Sequence, residues 1–385
     1  MRLFTRILIL SLAGCLHAGY VQSSGLSAQR SSNAGTEQPV KAVDTAPLRI
    51  AVAGVSHGHL SQVARRIGNG TFEVVGVWEE NDAYRQQNAL TGKVAEDLFY
   101  SDLGRMLDET KPEAVVAYGP IFDHLRVVQE CAPRGIHVMV EKPLAVSVKH
   151  ARQIEALAKR YGTMVLTNYE TSWYRTNQAI PGIIREGTIG PVHRIEVYDG
   201  HQGPVEIKCA APFLSWLCDP VLNGGGAVTD FGCYGANLAT WLLGGEEPVR
   251  VSATLRTNKP SVYPKVDDDA TILVDFPSAT VVINASWCWP MNRKDMYVYG
   301  SKGWIYQENS DKMYLGTNPK TPAAPYEAPA LEAPFNDSFL YLRAAVRGEI
   351  TVSDTDLASL QNNLIVVRIL EAAKRSAASG RAVRT

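Results

Sequence analysis

The chain has 385 residues, of which 45% are hydrophobic, and its 38 Lys and Arg residues balance 39 Asp and Glu residues for a net charge of -1. This length exceeds one ordinary hydrophobic core and indicates two domains. The balanced charge, without a long run of one sign, argues against a surface for nucleic acid or for an anionic membrane.

The first twenty residues have the pattern of an export signal. Arg2 and Arg6 precede an apolar run at residues 7–16. A membrane span needs about 20 apolar residues, so this run is too short for one and suits a secretory signal. The sequence therefore predicts a signal peptide over residues 1–20 and an exported protein without a transmembrane span.

Two forms of processing stay open at this end of the chain. The letters "LAGC" at residues 12–15 are similar to a lipoprotein processing box, which would place a lipid anchor on Cys15. Ordinary cleavage after Ala18 is the alternative. Residues 21–47 are polar and lack periodicity, which predicts a disordered linker. The protein is expected in the periplasm or on the membrane as a lipoprotein.

Residues 48–170 alternate between short apolar runs and segments of helix length. The runs are rich in Val and Ile and lie at residues 50–55, 72–78, 114–117 and 136–140. Strands that are buried on both faces of a parallel sheet have this composition. Residues 147–162 begin with Ser147 and end with Gly162, as a helix does. This part predicts an α/β domain with a doubly wound parallel sheet, the Rossmann fold.

Residues 171–385 show longer runs in which apolar and polar residues alternate. The letters "FPSAT" at residues 276–280 predict a hairpin turn between two such runs. Helices are predicted at residues 175–186, after residue 226, and at residues 356–379. This part therefore predicts an α+β domain, with an open, mostly antiparallel sheet and helices on one face.

The segment "GVSHGH" after the first strand is a glycine-poor version of a dinucleotide-binding turn. Gly54 holds the first glycine position, but Ser56 and His59 stand where the second and third glycines are expected. A side chain at Ser56 limits how closely backbone amides approach a phosphate. Glu79, at the end of the second strand, can bind ribose hydroxyls and favours NAD over NADP, with Glu80 as the alternative.

His57 and His59 also have the types and spacing of two metal ligands. Locally, no Cys, Asp or Glu cluster completes the set. Helix-start or packing roles are the simpler interpretation, and the sequence predicts no metal site.

A lysine follows the predicted fourth parallel strand. In "EKPLA", at residues 141–145, Lys142 lies where the strand ends and Pro143 stiffens the backbone. The carboxyl edge of such a sheet is where ligands bind, so Lys142 can act as an acid or donate a hydrogen bond to a carbonyl. A simple turn is the alternative interpretation.

The predicted helix after residue 226 carries a polar stripe. Asp230, Tyr234 and Asn237 are spaced i, i+4, i+7 and would share one face. A carboxylate, a phenol and an amide on one stripe form a polar face that needs an explanation, and a satisfied, partly exposed helix face is the simpler interpretation.

These motifs, in this order, resemble those of the Gfo/Idh/MocA oxidoreductases over nearly all of residues 48–385. The motifs on which the resemblance rests are "EKPLA", "GGGAVTDFGCYGANLATWLLGG" and "VYGSKGWI". The set Asp, Tyr, Asn on the helix is similar to that of the glucose-fructose oxidoreductase branch. The resemblance implies an NAD(P)-binding domain at residues 48–170, a domain for substrate binding and oligomerisation at residues 171–385, and a homo-oligomer.

The resemblance also implies roles for individual residues. Lys142 and Tyr234 would be the catalytic pair, in which Tyr234 transfers a proton and Lys142 lowers its pKa. Asp230 would hold substrate hydroxyls or position Lys142. Cofactor contacts are implied at Gly54, Ser56, His57, Glu79, Tyr118, Gly119, Pro120, His124, Glu141, Lys142 and Asn168. Substrate contacts are implied at Lys142, Asp230, Tyr234 and Asn237.

The predicted function is that of a sugar-directed oxidoreductase that transfers a hydride between a carbohydrate and a tightly held nicotinamide cofactor, NAD rather than NADP. Tight binding follows from export, because free cofactor is scarce outside the cytoplasm. A redox-neutral glycosidase or lyase that oxidises the sugar transiently is the first alternative. A sugar-binding protein without cofactor, favoured by the missing glycines, is the second.

Overall fold

The computed structural model describes residues 46–385. The predicted signal peptide at residues 1–20, the lipidation site Cys15 and nearly all of the linker predicted at residues 21–47 lie outside the described residues. Among residues 46–385, no helix is both long enough and apolar enough to cross a lipid bilayer.

The first half of the described chain folds around a six-stranded parallel sheet. Its strands are β1 (Leu48–Ala53), β2 (Phe72–Trp78), β3 (Phe99–Tyr100), β4 (Ala114–Ala117), β5 (His137–Glu141) and β6 (Val165–Asn168). The helices between them are α1 (Leu60–Arg66), α2 (Asp82–Gln86), α3 (Leu103–Thr110), α4 (His124–Cys131) and α5 (Val148–Tyr161). The order across the sheet is β3-β2-β1-β4-β5-β6, which is that of a Rossmann fold and confirms the prediction.

Local chemistry sets the boundaries of these elements, and α5 illustrates it. Ser147 Oγ accepts the backbone N–H of His150 at the start of the helix. Gly162 ends it with a φ of 66°, in the left-handed region that glycine adopts without strain. Both signals were readable in the sequence, so this helix was predicted almost to the residue.

The second half folds around a nine-stranded sheet. Its strands are β7 (Val192–Gly200), β8 (Arg250–Arg256), β9 (Asp269–Asp275), β10 (Thr280–Ser286), β11 (Arg293–Gly300), β12 (Trp304–Gln307), β13 (Met313–Gly316), β14 (Ala324–Tyr326) and β15 (Val383–Arg384). The order is β14-β13-β12-β11-β7-β10-β9-β8-β15. Neighbouring strands are antiparallel except β7 and β10. The mostly antiparallel sheet and the hairpin between β9 and β10 confirm the prediction.

Six helices accompany this sheet. They are α6 (Arg175–Arg185), α7 (Ala211–Leu217), α8 (Ala227–Asp230), α9 (Gly232–Leu242), α10 (Ser338–Val346) and α11 (Leu360–Ser379). Helix α11 packs against α9 and β8. It begins after Ser359, whose hydroxyl caps it, and therefore later than the predicted residue 356.

The helix predicted after residue 226 is interrupted. Phe231 separates α8 from α9 with φ -108° and ψ -32°. The i, i+4, i+7 spacing assumed one continuous helix, whereas Asp230 belongs to α8 and both Tyr234 and Asn237 belong to α9.

Helix α10 returns to the first sheet. The rings of Phe72 and Phe339 lie 4.7 Å apart between centroids, and Arg66 forms an ion pair with Asp337 at 2.7 Å. A segment late in the chain therefore completes the core around β1 and β2.

Candidate active site

Lys142 and Asp230 form a buried ion pair at the carboxyl end of the parallel sheet. Lys142 directly follows β5, and Asp230 is the last residue of α8. Nζ of Lys142 donates to Oδ1 of Asp230 at 2.5 Å and to its backbone carbonyl at 2.9 Å. The second carboxylate oxygen accepts Nε1–H of Trp287 at 3.0 Å. Two of the three ammonium protons are thus used by Asp230, which leaves the third for a ligand.

Each charge of this pair stabilises the ionised form of the other residue. Burial opposes the charge on Lys142, but the Asp230 carboxylate outweighs burial and raises the pKa of the ammonium group. Burial also acts to raise the pKa of Asp230, and Lys142 outweighs it, so that this pKa is lowered. Lys142 therefore stays protonated and is suited to donate a hydrogen bond rather than to transfer its proton to the substrate.

The ring of Tyr234 lies close to two ammonium groups. Nζ of Lys142 is 5.0 Å and Nζ of Lys294 is 4.4 Å from the ring centroid. Burial, followed by the carboxylates of Glu170 and Asp199, raises the pKa of the Tyr234 phenol well above its ordinary value. The lowering of this pKa by Lys142, which the resemblance implies, stays a prediction, and burial and nearby carboxylates act in the opposite direction. Tyr234 is a neutral phenol here.

Asn237 does not reach this site. Its Nδ2 donates to the backbone carbonyl of Leu357 at 2.8 Å and lies 3.4 Å from Oδ1 of Asn363. The residue is fully buried. The implied substrate contact at Asn237 is therefore corrected: its amide holds the segment before α11, on a side of α9 away from Lys142.

A cavity of about 360 Å³ opens beside the ion pair. Lys142, Asp230 and Tyr234 form one part of its wall, and His57, His59 and Phe213 are among the residues that face them. The volume suits a small molecule, and both polar and apolar side chains line the cavity, as in sites that orient a ligand.

A second cavity of about 690 Å³ adjoins the first, because both share His201, Phe231 and Lys294 in their walls. Asp199 lies in this second cavity, and neither of its buried carboxylate oxygens has a hydrogen-bond partner among the described residues. Lys294 Nζ is 4.0 Å from Oδ1 of Asp199. Burial raises the pKa of Asp199 to about 7, against the opposing effect of Lys294 and Lys142.

Sequence analysis missed Asp199, although its strand carried a signal. In β7, Ile195, Val197 and Asp199 alternate toward the buried face. A carboxylate at a position of this kind needs a functional or structural explanation. Lys294 and Glu170, which pair at 2.9 Å, were also missed, and no local pattern joins them.

The turn after β1 keeps two features of a dinucleotide site. Gly54 has a φ of 79°, and an added Cβ would lie 2.6 Å from Cα of Gly119, so glycine is required there. The Glu79 carboxylate accepts a backbone N–H of the turn at 3.2 Å. Glu80 instead pairs with Arg126 at the surface. Of the two carboxylates, Glu79 is the one that lies where a ribose would be bound.

The middle of the turn is covered by α7. Nε1 of Trp216 donates to Oγ of Ser56 at 3.0 Å, and the Trp216 ring lies 5.6 Å from the His57 ring. The backbone N–H of His57 donates to the carbonyl of Tyr118 at 2.8 Å, and that of His59 donates to Nδ1 of His57 at 3.0 Å. These amides are therefore bonded within the protein. Gly54 and Glu79 thus keep the features of a dinucleotide site, whereas the Ser56 hydroxyl and the amides of the turn are bonded within the protein.

Three side chains with metal-ligand chemistry meet between this turn and β5. Nδ1 of His59 lies 3.0 Å from Oε2 of Glu141, a residue 82 positions away. One ligand atom from each of His57, His59 and Glu141 lies within 4.8 Å of the others. No carboxylate near the two histidines in the sequence completes the set, and folding brings Glu141 to them from a distant segment.

The charges in this cluster are set by burial and by the neighbours. Burial lowers the pKa of His57 to about 3, so its imidazole is neutral. Burial acts to raise the pKa of Glu141, but His59 outweighs it and the pKa falls to about 2. Asn168 Nδ2 donates to the other oxygen of Glu141 at 3.1 Å, so the predicted cofactor contact at Asn168 lies against Glu141.

The segment after β4 lies behind the turn. Gly119 packs against the first glycine of the turn, and the Tyr118 hydroxyl is buried without a partner among the described residues. Pro120 begins the short helical turn before α4. His124 is buried with Nδ1 3.1 Å from the carbonyl of Leu144, and burial lowers its pKa to about 4. The structure brings Tyr118 and Gly119 to the turn and places His124 in the interior.

The two halves of the chain match two family descriptions in the same order. Residues 48–169 match "Oxidoreductase family, NAD-binding Rossmann fold", and residues 177–306 match "GFO/IDH/MocA C-terminal domain". Together these matches span the site, the first sheet and the larger part of the second sheet. The chain belongs to the GFO/IDH/MocA family of oxidoreductases, which are enzymes built on an NAD-binding Rossmann fold.

Among curated proteins, the chain is similar to D-glucoside 3-dehydrogenase of Escherichia coli, with 25% identity over 209 residues, 53% of this chain and 56% of that protein. It is also similar to the rhizopine catabolism protein MocA of Rhizobium meliloti, with 27% identity over 177 residues, 46% of this chain and 51% of that protein. The chain thus spans about half the length of these relatives.

Solved structures show the same fold over most of the chain. An aldose-aldose oxidoreductase from Caulobacter crescentus, complexed with glycerol, superposes with a TM-score of 0.72 at 24% identity, over 88% of this chain and 100% of that one. An inositol dehydrogenase homologue from Azotobacter vinelandii, complexed with NAD+, gives a TM-score of 0.73 at 18% identity, over 88% and 98%.

Proposed function

We propose that this protein oxidises or reduces a hydroxyl-bearing carbon of a carbohydrate or polyol, with a nicotinamide dinucleotide as its redox partner. The observation that carries the proposal is the buried Lys142–Asp230 pair, which presents a fixed positive charge and one unused N–H beside a polar cavity. The similar proteins named as acting on glucosides and aldoses support the same substrate class.

In the direction of oxidation, the substrate oxygen accepts a hydrogen bond from Lys142, which stabilises the negative charge that develops there. Asp230 keeps the ammonium charged and in place. Asp199 takes the hydroxyl proton, since a carboxyl with a pKa of about 7 is a base matched to neutral pH. Tyr234, a neutral phenol, donates a hydrogen bond within the cavity. The nicotinamide ring, when bound, supplies the hydride acceptor.

The dinucleotide would be held by the turn after β1. Gly54 gives the close backbone approach, and Glu79 would bind the ribose hydroxyls, which favours NAD because a carboxylate repels the 2′-phosphate of NADP. Helix α7, which contacts the turn through Trp216, is placed to close over a bound dinucleotide. This favours a tightly held cofactor, as expected for an exported protein.

The first experiment asks whether a cofactor is retained. The full chain is purified without added dinucleotide and denatured, and the supernatant is assayed enzymatically for NAD and NADP. We expect NAD in near-equal amount to protein. If no dinucleotide is released and none binds on titration, the proposed redox function fails and a sugar-binding role takes its place.

The second experiment identifies the reaction. Monosaccharides, polyols and simple glycosides are added to the protein with NAD+, and NADH formation is followed by absorbance. We expect turnover that saturates with one class of sugar or polyol. The proposal is contradicted if retained cofactor is never reduced by any of them.

A second candidate function is the redox-neutral cleavage of a glycoside. The observation that favours it is Asp199, because elimination or hydrolysis after transient oxidation needs a further group that titrates near neutral pH. This candidate predicts release of the aglycone from a glycoside without any added redox acceptor, whereas a net oxidoreductase releases none.

We also propose that the protein is exported, with Cys15 either lipidated or removed. We further propose that it assembles into a homo-oligomer. Cell fractionation with labelled palmitate tests the first, and sedimentation of the purified chain tests the second.

A further inference from the structure

Two imidazoles and one carboxylate meet beside the cavity. They come from the turn after β1, which carries His57 and His59, and from the last residue of β5, Glu141. Their ligand atoms lie within 4.8 Å of one another, and His59 Nδ1 is already 3.0 Å from Glu141 Oε2. A metal ion bound between them would replace the proton that these two atoms now share.

The donor set selects the kind of metal. Imidazole nitrogen suits zinc, iron, nickel and copper, whereas magnesium and calcium prefer sets made only of oxygen. Two histidines with one carboxylate leave coordination positions open, as in catalytic rather than structural sites. The set is therefore that of a zinc or iron(II) site with room for a further oxygen ligand.

The surrounding contacts hold one of the ligands, Glu141, in place. Asn168 Nδ2 donates to Oε1 of Glu141 at 3.1 Å, and Trp173 Nε1 donates to Oδ1 of Asn168 at 3.1 Å, which orients Glu141 with Oε2 toward His59. Hydrogen bonds of this kind orient metal ligands in known sites. At His57, Nδ1 accepts the backbone N–H of His59, and this contact is given up when either ring nitrogen binds metal.

The open side of the cluster faces the proposed substrate. His57 and His59 line the same cavity as Lys142, Asp230 and Tyr234. Lys142 is adjacent and cationic, but Asp230 compensates its charge, so the cluster keeps the negative charge of Glu141 for a cation. A hydroxyl or carbonyl oxygen in the cavity can therefore reach a metal on one side and the lysine on the other.

We propose that His57, His59 and Glu141 bind a divalent transition-metal ion, zinc or iron(II), whose open position takes a hydroxyl or carbonyl oxygen of the ligand in the cavity. The metal polarises that oxygen and fixes its position. This inference goes beyond the proposed redox function, since metal binding can be measured without dinucleotide or turnover.

The test uses the full chain, freed of metal with a chelator, and zinc or cobalt(II) as the probe. Zinc binding is measured by isothermal titration calorimetry, and cobalt(II) is followed by its visible absorption, which reports coordination by nitrogen and oxygen. We expect one high-affinity ion per chain. No such ion, or a cobalt spectrum of the free aquo ion, would overturn the proposal.

Three variants locate the site. His59→Gln and Glu141→Gln should each weaken zinc binding by about 100-fold or more, given that loss of a supporting group alone costs about 10- to 100-fold. The His59 side chain is 31% exposed, so His59→Gln is the variant least able to disturb the fold. His193→Ala removes an exposed imidazole at the start of β7 and should leave binding unchanged.

Circular dichroism and melting of each metal-free variant show whether it is folded. If folded His59→Gln binds zinc as the unchanged chain does, the cluster is not the site and the proposal is wrong. Because no assay here contains NAD or sugar, this failure is distinct from failure of the proposed function.

Discussion

The Lys142–Asp230 pair and the turn after β1 face the same cavity, but they are stabilised in different ways. The pair joins two motifs that are both visible in the sequence, and its hydrogen bonds are internal to those motifs and Trp287. The turn has lost two expected glycines, and its side chains are satisfied by partners from distant segments, chiefly Trp216 and Glu141.

This difference teaches where a family motif is informative. The ion pair joins a lysine that follows a strand to an acid on the helix motif, and the family resemblance implied that Asp230 positions Lys142 or holds substrate hydroxyls. At the turn, replacing glycine by Ser56, His57 and His59 creates new donors and acceptors, and their partners decide what the turn can bind. The catalytic side of the cavity is thus closer to the family pattern than the cofactor side.

The largest effect is expected from breaking the ion pair. Lys142→Met should lower kcat/KM by about 100- to 1,000-fold, because a preorganised donor to the reacting oxygen is lost. It should also lower the free energy of unfolding by about 3–5 kcal/mol, because Asp230 is left buried without a counter-charge. Urea denaturation and steady-state kinetics measure the two effects.

The double variant Lys142→Met/Asp230→Asn separates these two effects. It should recover most of the stability, since no buried charge remains unpaired, but none of the activity. An active double variant would show that Lys142 serves only the fold.

The next effect concerns proton transfer. In the unchanged protein, kcat/KM for oxidation should rise as the pH passes about 7, because Asp199 is an effective base only when it is ionised. Asp199→Asn should lower the rate by about 100-fold and remove this rise. Glu196→Gln on the same strand is the control and should keep the pH profile. A profile that persists in Asp199→Asn would assign the titration to another group.

A smaller effect is expected at the phenol. Tyr234→Phe should lower kcat/KM by about tenfold, equivalent to one hydrogen bond of ~1.4 kcal/mol, because the phenol has a raised pKa and acts as a donor. Bound NAD should be unchanged. A complete loss of turnover would instead restore Tyr234 as the proton carrier implied by the family resemblance.

The smallest effect is expected at helix α7, which covers the turn after β1. Trp216→Phe removes the N–H that donates to Ser56, and NAD should associate about fivefold faster, equivalent to ~1 kcal/mol for one neutral hydrogen bond. Stopped-flow fluorescence measures the rate, and Trp241→Phe, on α9, is the control. Equal rates in the two variants would mean that α7 does not limit entry.

Much of the fold could be predicted because it depends on local signals. Buried Val-rich runs marked β1, β2 and β4, and Ser147 and Gly162 marked the ends of α5. The short strands β3 and β13 to β15 escaped prediction, since two to four residues carry too little periodicity. Helix α7 was missed for a similar reason, at seven residues.

The residues of the candidate site likewise divide into those that local motifs predicted and those that only folding brings to the site. Lys142, Asp230 and Tyr234 were found from motifs, and the structure places them around one cavity. Asn237 was misplaced because a shared helix face was taken for a shared environment, whereas the Asn237 amide contacts Leu357 and Asn363 next to and within α11. The alternation of β7 pointed to Asp199, whereas nothing local pointed to Lys294.

The sequence by itself determined the two-sheet architecture, because this follows from hydrophobic periodicity. It also marked Lys142 and Asp230 as site residues, but only the family resemblance implied that Asp230 positions Lys142. Only the tertiary structure decided the state of the glycine-poor turn. Its chemistry depends on Glu141, 82 residues from His59, and on Trp216, 160 residues from Ser56. Contacts at such separations are set by how sheets and helices pack in space, and no local pattern in the chain records them.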